Sequence, residues 1–143
     1  MNRKTFYDKI IKKIEKLEKI SKNDMECSSK YGRGSKAFND EGHRQGIYFL
    51  YNSNNQIIYI GKVGTGCSTS LYDRMRGHGS GAHNKQQWYE EVVYGKYIIF
   101  KHLNDSEIEI VERLCIVCNP NEENYNDKVF DDTVLDGINK KLK

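Results

Sequence analysis

The sequence predicts an α+β fold: a small three-stranded antiparallel sheet flanked by helices, preceded by an N-terminal helix and a polar linker. Three observations predict it. The runs GIYFLYN (46–52) and QIIYIGKV (56–63) are rich in β-branched and aromatic residues and lie on either side of a short polar stretch. A third run, KYIIFKH at 96–102, has the same character. Amphipathic segments with helical spacing stand at both ends of the chain. The expected division is residues 1–45, helix plus linker, and residues 46–143, the α+β domain with a C-terminal helix.

Along the chain, residues 4–20 place Phe6, Ile10, Ile14 and Leu17 on one stripe, widened by Tyr7 and Ile11, which predicts a helix. Residues 21–45 are polar and glycine-punctuated and predict a linker or functional arm. It carries Lys30, Arg33, Lys36, His43 and Arg44, which could follow phosphates. Ser53, Asn54 and Asn55 are turn formers that should close the first two strands into a hairpin. After a Gly/Thr/Ser loop at 62–70, a short helix is expected from Ser70 through Arg76, broken by the glycines of 77–81. A second is expected from Gln86 to Val93. Ser106 followed by Glu109 fits a capping box that opens a helix reaching about Cys118, before Pro120. A last helix near 130–142 carries Val134, Leu135, Ile138 and Leu142.

Composition narrows the function classes. The chain has 143 residues, 37% hydrophobic and 30% charged, enough for one domain with a modest core. No run approaches the ~20 apolar residues of a membrane span, and the N-terminus has no apolar signal core. A cytoplasmic protein that avoids membranes, with Cys27, Cys67, Cys115 and Cys118 as reduced thiols, is therefore expected. The formal charge is +3, and residues 1–20 alone carry seven Lys or Arg against three Asp or Glu. The basic excess thus lies in the first helix and not around the hairpin. Cys115 and Cys118 have a zinc-like spacing but no second pair, and their helical positions fit packed thiols.

Several side chains invite chemistry. The hairpin could bring the phenols of Tyr48 and Tyr59 to one site, with glycines that let a substrate backbone approach. Arg74 and His78 are four apart and would share a helix face; arginine suits phosphate oxygens and histidine moves protons near neutral pH. Glu112 sits at the edge of an apolar stripe between Ile108 and Ile116, where a carboxylate needs a partner, either a metal ion or an arginine. Asn124 and Asn126 follow Pro120.

Taken in order, Gly46-Ile47-Tyr48, Tyr59-Ile60-Gly61, Arg74, His78, Glu112 and Asn124 resemble the GIY-YIG nuclease family over roughly residues 46–126. The resemblance implies a metal-dependent endonuclease hydrolysing DNA phosphodiester bonds, of the restriction-type or stand-alone group. It implies Tyr48 as general base, Tyr59 orienting water or substrate, and Arg74 on the scissile phosphate. His78 would relay the proton, Asn124 would complete the site and Glu112 would hold Mg2+ (or Mn2+). Gly61, Lys62 and Arg76 would lie along the substrate. The loop from Gly61 to Arg74 is longer than in compact members, which leaves Arg76 as an alternative to Arg74. The stretch from Glu112 to Pro120 is one residue short of the commonest spacing, which leaves Asn124 and Asn126 both open. Residues 1–45 have no counterpart in the minimal domain. The implied partner is DNA ahead of RNA, and cutting both strands with one site per chain favours a homodimer. The competing expectation is a nucleic-acid-binding module that keeps the fold and does not cut.

Overall fold

The computed structural model describes residues 1–27, 45–64, 87–119 and 131–142. The α+β class is as expected. The sheet, however, has four strands and not three. Its order is β1 (Ile20–Ser21), β4 (Tyr94–Ile99), β2 (Gly46–Tyr51) and β3 (Ile57–Val63), with every neighbouring pair antiparallel.

The extra strand arises where the first helix was expected to continue. Helix α1 spans Arg3–Glu15, capped by the Asn2 side chain, which accepts from the Thr5 amide at 2.8 Å. Its stripe of Phe6, Tyr7, Ile10 and Ile14 packs on one face of the sheet together with Ile47, Phe49 and Ile98. Ile20 instead belongs to a second cluster, with Tyr48, Leu50 and Tyr89. The chain must therefore leave the helix and cross the sheet edge to deliver Ile20, pairing Ile20 with Gly95 and Ser21 with Tyr94 on the way. Part of the expected linker is also ordered, as helix α2 (Lys22–Cys27).

The hairpin forms as expected, but Asn52 organises its turn. The Asn52 side-chain oxygen accepts from the amides of Asn54 (2.9 Å) and Gln56 (3.0 Å), and Asn55 takes φ 60°. Asparagine tolerates that left-handed conformation better than most residues. Tyr48 lies opposite Gly61 and Leu50 opposite Tyr59, with an irregularity after Leu50 that absorbs Ile58. Strand β2 is central and covered on both faces, so all six of its residues are buried and it shows no polar alternation.

The segment expected as a helix over 86–93 is a 3₁₀ turn (Gln87–Glu91), and the third strand runs two to three residues earlier than expected. Helix α3 (Asp105–Cys118) also starts earlier than the sequence suggests. Its capping box is Asn104 with Glu107, not Ser106 with Glu109. The Asn104 oxygen accepts from the Glu107 amide at 2.9 Å, and the Glu107 carboxylate accepts from the Asn104 amide at 3.0 Å. Burial pushes the Glu107 carboxyl up, but hydrogen bonds from Lys141 and the Asn104 amide outweigh it and leave the pKa lowered. Helix α4 (Asp132–Lys141) forms as expected, with Leu135 and Ile138 buried and Leu142 packed against the core, but Val134 is exposed.

Cys115 and Cys118 are buried thiols outside any disulfide, on the inner side of α3. Burial first, then Cys118 and Glu112, raises the Cys115 pKa far above its ordinary 9.0. Tyr51 is raised above 10.0 for the same leading reason. Groups raised on folding contribute stability in full below their unfolded values and lose it as pH climbs past them. Lys96 is lowered, chiefly by burial, and works in the opposite direction. With Tyr94 also raised, the balance predicts that the urea midpoint falls between pH 8 and pH 10.5, and that Cys115→Ala shrinks the fall. An unchanged midpoint would exclude this account.

Candidate nuclease site

The two glycines of the tripeptides have separate physical causes. Gly46 adopts φ 153°, and a Cβ there would stand 1.9 Å from the carbonyl oxygen of Ile98. Side chains are excluded because β4 pairs tightly at that point. At Gly61 a Cβ would lie 2.3 Å from both Cζ and Oη of Tyr48. The expectation was that Gly61 leaves room for substrate. That space is instead filled by the Tyr48 phenol, which lies across the strand on its register partner.

This arrangement fixes the hairpin's phenols. Tyr48, Leu50, Tyr59 and Gly61 share one face of the sheet, because residues directly opposite in an antiparallel pair project to the same side. The rings of Tyr48 and Tyr59 stack with centroids 6.0 Å apart. Tyr59 stacks in turn on Trp88, at 4.6 Å and 10° between planes. Through this stack Trp88 packs against the same face of the sheet. Tyr48 is 1% exposed, whereas Tyr59 is half-buried.

Glu112 stands on α3, which covers the opposite face with Ile108, Val111 and Leu114 in the same cluster as Ile47 and Phe49. Helix α3 runs antiparallel along β3. A Cβ at Gly64 would meet Asp105 Oδ1 at 2.7 Å, Lys62 Nζ lies 3.8 Å from Glu109 Oε2, and the Asn119 amide reaches the Ile57 carbonyl at 3.5 Å. Glu112 lies a further ~4.5 Å of helix rise beyond Glu109. On a strand rising ~3.3 Å per residue, that brings it level with Ile60 and Gly61. The carboxylate and the phenols are therefore aligned along β3 but on opposite sides of it. The single pocket expected for Tyr48, Tyr59 and Glu112 is therefore not formed on one face: β3, the outer strand, stands between the phenols and the carboxylate.

Lys62 projects to the helix side, toward Glu109, and not toward the phenols. The helical wheel is corrected at one position: Ile116 is 47% exposed, so Glu112 lies between the core at Ile108 and solvent at Ile116. Arg74, Arg76, His78, Asn124 and Asn126, and the helix expected over 70–76, lie outside the described residues.

A hard divalent ion such as Mg2+ keeps most of its water and needs one or two carboxylates. Glu112, half-buried at the strand margin, is a single carboxylate and could supply one such ligand. Among the described residues no group of three or more His, Cys, Asp or Glu could hold an ion by itself. Among them, also, no helix is long and apolar enough to cross a membrane. The sequence reasoning missed Trp88 as the ring that backs Tyr59; the aromatic pair at 88–89 was its only signal. No family model matches the chain, and no curated protein matches it.

Proposed function

We propose that the chain is a metal-dependent endonuclease with a GIY-YIG-like fold, acting on DNA at the edge of β3. The observation that supports it most is the Tyr48–Gly61 contact. Each tripeptide contributes one partner, and the glycine is needed for the phenol to lie where it does. That gives both tripeptides a joint physical reason in this chain. A strand order with the hairpin's first strand in the middle, followed by a helix bearing one acidic residue level with the phenols, is compatible with the same reading.

In this reading Tyr48 takes the proton of the attacking water. Free tyrosine has a pKa of ~10, so the hydroxyl must pass its proton on or be lowered by nearby cations. His78 serves as that relay, and Arg74, or Arg76 in its place, holds the scissile phosphate through charge-assisted hydrogen bonds. Tyr59 orients water or substrate from its half-exposed position on the stack. Asn124 or Asn126 completes the substrate contacts. Glu112 holds Mg2+ or Mn2+, which when bound would neutralise charge on the non-bridging and leaving oxygens.

Tyr48→Phe removes one oxygen and keeps the ring on Gly61. It is expected to slow cleavage by roughly 10²–10⁴-fold, the usual weight of a general acid–base group. A loss below about threefold would remove Tyr48 from the base role.

One observation favours a second reading, a binding module that does not cut. Tyr48 is 1% exposed, as a purely structural ring would be. Plasmid incubated with the protein in Mg2+ or in EDTA separates the two. Metal-dependent nicks or fragments support the nuclease, and a mobility shift without cleavage supports the module. RNA substrates in the same assay check the less favoured nucleic acid.

A further inference from the structure

Strand β1 pairs only with Tyr94 and Gly95, so among the described residues the outer edge of β4 from Lys96 to Ile99 carries no strand. A groove of about 570 Å3 follows that edge, lined by Lys13 of α1, by Lys16 and Leu17 just after the helix, and by Tyr97 of β4. A second, of about 210 Å3, continues past the end of β4 between Lys13, Lys101, His102 and Lys141. Lys13, Ile98 and Ile99 line both, so the two adjoin as a channel in two stretches.

The channel is cationic. Lys141 is held by Glu107 at 2.8 Å, but Lys13, Lys16 and Lys101 form no ion pair among the described residues. Glu18 is the one acidic residue among the described lining. Two ordinary causes put lysines in such places. Cations in the last turn of a helix complement its dipole, and lysines beside an open strand edge discourage pairing with other chains. Neither requires cations from the end of α1, the turn after β4 and the end of α4 to line a single channel. Tyr97 adds direction. It lies opposite Tyr48 in the β2–β4 register and so shares the face that carries the hairpin phenols. The channel therefore lies at the sheet edge, between the α1 face and the face of the phenols.

We propose that this channel is a track for the phosphodiester backbone of duplex DNA, gripping it outside the cutting site through Lys13, Lys16 and Lys101. The partner's identity rests on the nuclease reading, but the grip can be measured without cleavage. Each lysine that neutralises a phosphate releases counterions, so it steepens the fall of affinity with salt by about one unit on logarithmic axes.

The test is fluorescence anisotropy of a 30-base-pair duplex in EDTA across a salt series. Lys13→Gln/Lys16→Gln/Lys101→Gln is compared with Lys4→Gln/Lys9→Gln/Lys12→Gln, which removes equal charge from residues that do not line the channel. The channel variant is expected to bind at least about tenfold more weakly at moderate salt, with a slope shallower by about three, while the control keeps the parent slope. Equal behaviour of the two variants would overturn the track. Lysine modification of the unaltered protein gives an independent reading. DNA should protect Lys13, Lys16 and Lys101, and protection of Lys4 and Lys12 in their place would also overturn it. Binding through these lysines with no cleavage in any divalent metal would instead count against the nuclease reading alone.

Discussion

Glu112→Gln is expected to abolish Mg2+-dependent cleavage of plasmid while leaving DNA binding largely intact. The substitution keeps size and helical preference and removes one charge, so the fold has little cause to change. The side chain is half-buried at the margin of α3, between the packed Ile108 and the exposed Ile116, and glutamine fits that margin without opening a cavity. A neutral amide is a poor ligand for a hard divalent ion, so the loss should be in turnover. The check is a time course of supercoiled plasmid at saturating Mg2+, with a mobility shift in EDTA on the same preparation. Full activity in the variant would remove Glu112 from the site. Glu109 would then be the next carboxylate to examine, since it lies along the same helix margin and already reaches Lys62.

Gly46→Ala is expected to have the largest effect on the fold. The new methyl would sit 1.9 Å from the Ile98 carbonyl oxygen, on a backbone with φ 153°. Relief by movement is closed off, because Gly46 pairs with Val63 on one side and Ile99 on the other. A strained backbone costs about 1–3 kcal/mol, and parting β2 from β4 adds to it. A total of about 3 kcal/mol or more is a large share of the roughly 5–15 kcal/mol that holds a domain together. Gly137→Ala on the exposed side of α4 is the natural comparison. Nothing lies within 4 Å of its new methyl, so it should stabilise by about 0.4–1 kcal/mol. Urea unfolding of both variants gives the difference directly. A Gly46→Ala protein as stable as the parent would contradict the packing at that position.

The hairpin and the α+β class were legible because their signals are local: aromatic and β-branched runs, a polar turn, and helical stripes. The capping box was misplaced by two residues because Asn104/Glu107 and Ser106/Glu109 have the same spacing, and what separates them is distant. Lys141 holds Glu107, and Lys62 draws Glu109 away. Strand β1 was not legible at all. Two residues carry no periodicity, and Ile20 extends the α1 pattern well enough to pass for its last turn. The reason it leaves the helix is a cavity-sized place beside Tyr48, Leu50 and Tyr89 on the far face, which only the assembled sheet creates. At the site, the presence of Tyr48, Tyr59 and Gly61 could be read from the tripeptides. That Gly61 is the floor under a phenol could not, since it depends on which residues face each other across the strands.

Lys96 has a consequence for how α1 is held. Its side chain is 7% exposed, and its ammonium donates at 3.0 Å to the carbonyl of Ile14, near the negative end of the helix, with the Tyr51 ring close by. If α1 slid or rotated by one residue, that ammonium would lose its carbonyl acceptor. The helix therefore has a single seating on the sheet, and the spacing between Lys13, Lys16 and the neighbouring strand is a rigid dimension of the molecule, set before any ligand arrives.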